Sequence, residues 1–212
     1  VYVANAPSYD MAFLPPAKID FQSPAPFREV EIVDAGNTQH VAGLANDLLY
    51  YARSTDGGST WTNIKLLAAQ PPLGKFISVD AVGATVAIAV SGPGVTTQVF
   101  VNRGGGAAAW TQINTTGITN LQCNIRINPA GGELQLLGSN TANNGLTFAF
   151  SINGMPFISN ETPPLLASGT SWAGTGDRLF FIGDALSAGP ETVNSVGWAT
   201  LNVAMPLNPP LP

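Results

Sequence analysis

Apolar and polar side chains alternate with a period of two along most of this chain, in short runs. Clear examples are VEIV at 30–33, HVAGLA at 40–45, LLYYAR at 48–53, FISVDAV at 76–82, TVAIAV at 85–90 and TQVFVN at 97–102. NIRIN at 124–128, ELQLLG at 133–138, LTFAFS at 146–151 and RLFFIG at 178–183 continue the series. Such alternation marks half-buried β-strands, because successive side chains of a strand point to opposite faces. The runs are rich in β-branched and aromatic residues and are bounded by turn formers such as DAGN, DGG, GPG, GGG, PAGG and NNG. No segment carries a sustained helical apolar period with caps, so the chain is predicted to be all-β.

The strands repeat as units. LLYYARSTDGGSTWTNIKLL (48–67) and TQVFVNRGGGAAAWTQINTT (97–116) share an apolar strand, a Gly-rich turn and a Trp-Thr-x-Ile start to the next strand. LTFAFSINGMPFISN (146–160) is a weaker copy with Phe157 in the Trp position. Trp61 and Trp110 stand 49 residues apart, and Phe157 follows 47 residues later. A period of 45 to 50 residues with four strands per unit is the signature of β-propeller blades. The expected fold is a small β-propeller of about four blades, each a four-stranded antiparallel meander, at 28–67, 76–116, 121–160 and 168–203. A β-sandwich or jelly roll is the competing fold. Residues 1–27 read as an extended N-terminal arm, in which AKIDFQ (17–22) is a candidate strand to close the ring by completing the last blade. Residues 28–203 read as the propeller and 204–212 as a Pro-rich C-terminal tail.

Composition narrows the function classes. The 212 residues suffice for a core without disulfide staples. Charged residues make up 10%, against about 25% in an average chain. Eight basic against thirteen acidic side chains, net −5, argue against a nucleic-acid partner. The single cysteine, Cys123 in LQCNIRI, reads as a buried structural thiol, and the single histidine, His40, reads as structural or solvent-exposed. Together they are too few for a His/Cys zinc centre. With no D-x-D-x-D-G loop and no P-loop, neither a metal nor a cofactor is expected. No apolar run approaches the ~20 residues of a membrane-spanning helix.

One turn carries a sharper pattern. Ser54-Thr55-Asp56-Gly57-Gly58-Ser59-Thr60-Trp61 fits S-x-D-x-G-x-x-W. The Asp56 carboxylate is expected to accept hydrogen bonds from its own turn, Gly57 and Gly58 to supply positive φ, and Trp61 to pack on the blade. Degenerate copies keep Asn102, Gly104, Gly106 and Trp110, with one inserted residue, and Ser151, Asn153, Gly154 and Phe157, with Asn153 in place of Asp. This pattern resembles the Asp box of sialidase-type (BNR) repeat β-propellers. In that family the box is a folding element at the propeller's periphery, which implies a structural Asp56. The sialidase catalytic set is missing. Phe27-Arg28-Glu29-Val30 only faintly echoes the family's arginine motif, Arg53 and Arg103 adjoin Asp-box turns, and no tyrosine stands where the family keeps its nucleophile. No catalytic residue is therefore assigned, and the chain is expected not to be an enzyme.

Three roles fit these features. The first is a non-enzymatic propeller with a structural or adhesive role on an exterior surface, such as a virion, tail or spike component or a secreted assembly protein. Its partners would be other protein subunits, reached through the Pro-rich terminal arms, and its location extracellular or on a virion. The second is a lectin-like module binding surface glycans, with Trp172 and Trp198 as candidate contact aromatics. The third is a glycosidase, which needs two convergent carboxylates. Asp34 and Asp80 share the triplet Val-Asp-Ala and read as counterparts in one repeated turn.

Overall fold

The computed structural model describes residues 1–4, 12–13, 15–65, 76–115, 117–129, 132–140, 146–161, 167–175, 178–185 and 193–200. Two short strands, β1 (Tyr2–Val3) and β2 (Ala17–Lys18), pair with each other. Four antiparallel meanders follow in chain order. The first is β3 (Glu29–Ala35), β4 (Thr38–Ala45), β5 (Leu48–Ser54) and β6 (Thr62–Lys65). The second is β7 (Phe76–Val82), β8 (Thr85–Ser91), β9 (Gln98–Asn102) and β10 (Thr111–Ile113). The third is β11 (Asn120–Ile127), β12 (Leu134–Asn140), β13 (Leu146–Ser151) and β14 (Ile158–Glu161). The fourth has three strands among the described residues: β15 (Ala167–Thr175), β16 (Arg178–Ala185) and β17 (Val193–Thr200). No helix occurs among the described residues.

Within each sheet the strands neighbour one another in sequence order, as short hairpins dictate. The β4–β5 turn shows why: Asn46 and Asp47 both take left-handed φ (48° and 57°), the conformation of a two-residue type I′ hairpin. Between sheets the first strands meet, β3 against β7, β7 against β11 and β11 against β15. First strands gathered side by side, each leading a meander that runs outward, make a β-propeller.

The cores lie between sheets. Ala42, Leu44, Leu49 and Tyr51 of the first sheet pack against Ile77, Val79, Val86, Ile88 and Phe100 of the second. Ala87, Ala89, Val99 and Val101 of the second pack against Ile125, Leu134, Leu136 and Ala149 of the third. Each middle strand divides its side chains between two such layers, as period-two patterning requires. The other face of the first sheet, with Val41, Ala45, Tyr50 and Ala52, is covered by Ile19 and Phe21 and flanked by Val1, Val3 and Phe27. The stretch 17–22, a candidate to complete the last blade, thus pairs through Ala17 and Lys18 with β1 and lies against the first sheet of its own chain. The tail 204–212 lies outside the described residues.

Candidate functional site

The turn over residues 54–61 closes on itself. Asp56 Oδ1 accepts from Ser54 Oγ (2.7 Å) and the Thr60 N–H (2.9 Å), and Oδ2 accepts from Thr60 Oγ1 (2.6 Å). Hydrogen bonds from Thr60, then Ser54, hold the Asp56 carboxyl down to a pKa of about 2. Ser54 Oγ accepts the Gly58 N–H (2.8 Å), and the Trp61 indole donates to the Gly58 carbonyl (2.9 Å). In the second sheet Asn102 replaces two of these groups at once. Its Oδ1 accepts the N–H groups of Gly104 and Gly106 (both 2.8 Å), and its Nδ2 donates to the Ala108 carbonyl (2.5 Å). An amide can close the turn from both sides because it donates and accepts. The inserted residue leaves a trace: buried Trp110 Nε1 has no hydrogen-bond partner among the described residues, whereas Trp61 Nε1 has one.

In the third sheet Ser151 Oγ donates to the Met155 carbonyl (2.5 Å). Asn153 and Gly154 have φ of 53° and 78°, matching Gly57 and Gly58 (67° and 86°) and Gly105 and Gly106 (60° and 82°). Asn153 therefore stands at a turn-glycine position, and Ile152 stands opposite Asp56. Asparagine fits because it tolerates the left-handed region better than most side chains. These turns carry structure. Trp61 packs against the layer under the N-terminal segment, Trp110 against the layer between first and second sheets, and Phe157 against that between second and third. Trp61 is half-buried, so Trp61→Ala is expected to cost about 2–3 kcal/mol, below the ~3–5 of a fully buried ring. Urea unfolding measures it; a loss under about 0.5 kcal/mol would strip Trp61 of its anchoring role.

The charged side chains with chemical potential lie elsewhere, on the first strands of the sheets. Glu29 Oε2 accepts the Ile77 N–H (3.1 Å), and Glu31 Oε2 accepts the Val79 N–H (2.8 Å), so both carboxylates of β3 reach across to β7. The next pair of sheets repeats the device. Ser78 Oγ accepts the Ile125 N–H (3.2 Å), and Asp80 Oδ2 accepts the Ile127 N–H (2.7 Å). Arg126 Nη1 stands 3.8 Å from Asp80 Oδ1 and also acts electrostatically on Glu31. First strands present backbone N–H groups to their neighbours, and a carboxylate satisfies such a donor while keeping a second oxygen. Burial pushes Glu29 up to a pKa of about 7 against the pull of the Ile77 N–H, with the neighbouring Glu31 adding to the rise. Burial also raises Glu31, while the Val79 N–H and Arg126 oppose it.

The structure separates Asp34 from Asp80. Asp34 is exposed near the end of β3, whereas Asp80 is buried within β7 and bonded to β11. They are not counterparts in one turn. Among the arginines whose side chains are described, Arg28 pairs with Asp47 (2.9 Å), Arg53 donates to the Gly105 carbonyl (3.1 Å), Arg103 lies beside Gly154, and Arg126 faces Asp80. Spread over separate partners, they form no three-arginine clamp. His40 is buried and neutral, its Nδ1 2.6 Å from Tyr51 Oη, and burial lowers its pKa to about 4. Cys123 is a buried thiol that burial pushes up to about 12. No group of three potential metal ligands occurs among the described residues. The backbone sets Trp172 opposite Phe181 and Trp198 opposite Phe180; their side chains lie outside the described features. Sequence reasoning missed Glu29, Glu31 and Arg126 as a site. The available signal was Glu-Val-Glu-Ile, acids on alternate positions of a first strand.

The fold class is that of β-propeller proteins, and solved structures agree. The chain is similar to a GH43 beta-1,3-galactosidase, with a TM-score of 0.51 and 10% identity over 79% of this chain and 42% of that one. It is also similar to a family 117 glycoside hydrolase of the marine bacterium Zobellia galactanivorans, with a TM-score of 0.52 and 13% identity over 85% of this chain and 68% of that one. YCF48 from Cyanidioschyzon merolae superposes with a TM-score of 0.48 and 14% identity, over 87% of this chain and 61% of that one. The chain thus spans less than half the length of the galactosidase and about two thirds of the family 117 enzyme. No family model and no curated protein matches the sequence. The expectation that the chain is not an enzyme is overturned here, because the structures sharing its scaffold include glycoside hydrolases. That expectation rested on a missing sialidase set.

Proposed function

We propose that this protein is a carbohydrate-active β-propeller that engages a glycan along its first strands and cleaves glycosidic bonds there. The observation that carries this reading is the Glu29–Glu31 pair. Each carboxylate is pinned to an N–H of β7, and Ile77 and Val79 are alternate residues of one strand. Alternate residues lie about 7 Å apart. That spacing of the anchoring N–H groups is comparable to the ~6.5–9.5 Å carboxylate separation that leaves room for a water in inverting glycoside hydrolysis. Glu29, with a pKa of about 7, is about half protonated at neutral pH, and the protonated form can deliver its proton to a glycosidic oxygen. Glu31 is the partner carboxylate that receives a proton from the water; burial raises its pKa, and the Val79 N–H and Arg126 oppose that rise. The scaffold similarity to glycoside hydrolases supports the substrate class.

The test is incubation of the full chain with a panel of neutral and acidic oligosaccharides, followed by reducing-end assay. Release is expected from at least one member, with inversion at the anomeric carbon by NMR, and Glu31→Gln should lower kcat at least about 100-fold. Absence of release across the panel, or release that Glu31→Gln leaves unchanged, would overturn the reading.

A further inference from the structure

Two clefts recur at the repeat spacing on the outer parts of successive sheets. The first, about 450 Å³, lies between the first sheet (Leu48, Tyr50, Ile64) and the N-terminal segment (Asp20, Phe21, Gln22). The second, about 410 Å³, is lined by Thr96, Gln98, Gln112, Ile113, Asn114 and Thr115. Thr96 and Gln98 follow Leu48 and Tyr50 by 48 residues, and Ile113 follows Ile64 by 49. Strand register makes the match structural: Tyr51 pairs with Ile64 in the first sheet, and Val99 pairs with Ile113 in the second. One cavity at equivalent places in two blades is a property of the repeat. Both volumes fall in the ~300–1,000 Å³ range of small-molecule sites.

The linings define the ligand. The second cleft holds no charged side chain among its lining residues, and five of the six carry an amide or a hydroxyl. Amides and hydroxyls donate and accept, as sugar hydroxyls do, whereas a charged ligand would meet no counter-charge. Its rim is fixed, since Thr115 Oγ1 donates to the Thr97 carbonyl, the Thr97 N–H donates to the Ile118 carbonyl, and the Phe157 N–H donates to the Asn114 carbonyl. The first cleft has an apolar floor, with the Phe21 and Tyr50 rings edge to face at 6.0 Å. At its mouth Gln22 is exposed and takes a φ of 50°, rare for a non-glycine, stabilised by its N–H donating to Asp20 Oδ1 (3.1 Å). An apolar floor with a polar rim suits a pyranose, whose C–H face is apolar and whose edge carries hydroxyls.

We propose that these repeat-related clefts bind neutral saccharide units, at positions separate from the carboxylates of the first strands. The proposal deepens the carbohydrate reading but does not depend on hydrolysis. The test presents the full chain to an array of neutral glycans, with sialylated and uronate-bearing glycans beside them. Retention on neutral glycans is expected. It should fall at least about fivefold in Gln98→Ala/Gln112→Ala, and further when Gln22→Ala is added, at an unchanged thermal midpoint. Thr96→Val, nearly isosteric, replaces the double variant if that one loses its fold. Reducing-end release is measured on the same preparations, so loss of array retention and absence of hydrolysis are read as separate failures. No retention on neutral glycans, retention on acidic ones alone, or retention that every cleft variant preserves would overturn the proposal.

Discussion

Gly106→Ala is expected to destabilise the protein by about 4 kcal/mol, and Gly105→Ala, one residue earlier, by only about 1–2. Both glycines hold left-handed φ, 60° at Gly105 and 82° at Gly106, so both substitutions incur the same backbone strain. They differ in what a methyl group meets. At Gly105 nothing lies within 4 Å of the added Cβ. At Gly106 it overlaps the Tyr51 hydroxyl and lies 2.7 Å from Tyr51 Cζ. The ring has nowhere to go. Tyr51 is fully buried, bonded to His40 Nδ1, and edge-on to Trp110 at 4.8 Å between centroids. Urea unfolding of the two variants gives the difference. Costs that agree within about 0.5 kcal/mol would mean that the second turn does not pack on Tyr51 as described.

That packing shows what the sequence made legible. Period-two runs, turn glycines and aromatics spaced by 47 to 49 residues placed the strands, the meanders and the three turns, because each is a local property. The acid pair was not legible, and Asp34 and Asp80 show the reason. Asp34 stands two residues before Gly36, and Asp80 stands three before Gly83, each glycine opening its hairpin turn. With a side-chain period of two, that one-residue offset turns an identical Val-Asp-Ala triplet to the opposite face. One aspartate is left exposed, and the other is buried against β11. Glu29 and Glu31 were hidden for a related reason. Their alternation is visible in the sequence, but the N–H groups that receive them lie 48 residues away on another sheet. The clefts likewise join strand edges to segments distant in the chain, such as Phe21 and Tyr50.

Glu29→Gln separates catalysis from stability at one residue. Glutamine keeps an oxygen for the Ile77 N–H but has no proton to give, so kcat on a hydrolysed oligosaccharide should fall about 100- to 10,000-fold. The wild-type rate should decline as pH rises through about 7, where Glu29 loses its proton, and the variant's residual rate should show no such limb. Stability should move the other way. Because folding raises the Glu29 pKa from 4.5 to about 7, its ionisation opposes the folded state. Its contribution to stability is fully present below about pH 4.5 and is lost as pH rises through about 7. His40 acts in the opposite sense, since its lowered pKa removes stability as pH falls from 6.5 toward about 4. That effect cancels when variant and wild type are compared at one pH. Discounted for solvent reaching the half-buried carboxylate, Glu29→Gln should be about 1–2 kcal/mol more stable than wild type at pH 8 and equal to it near pH 4. Paired urea titrations at the two pH values measure this crossing. A variant less stable than wild type at pH 8 would mean that the Glu29 charge itself holds β3 to β7, and it would remove the protonated acid on which the hydrolytic reading depends.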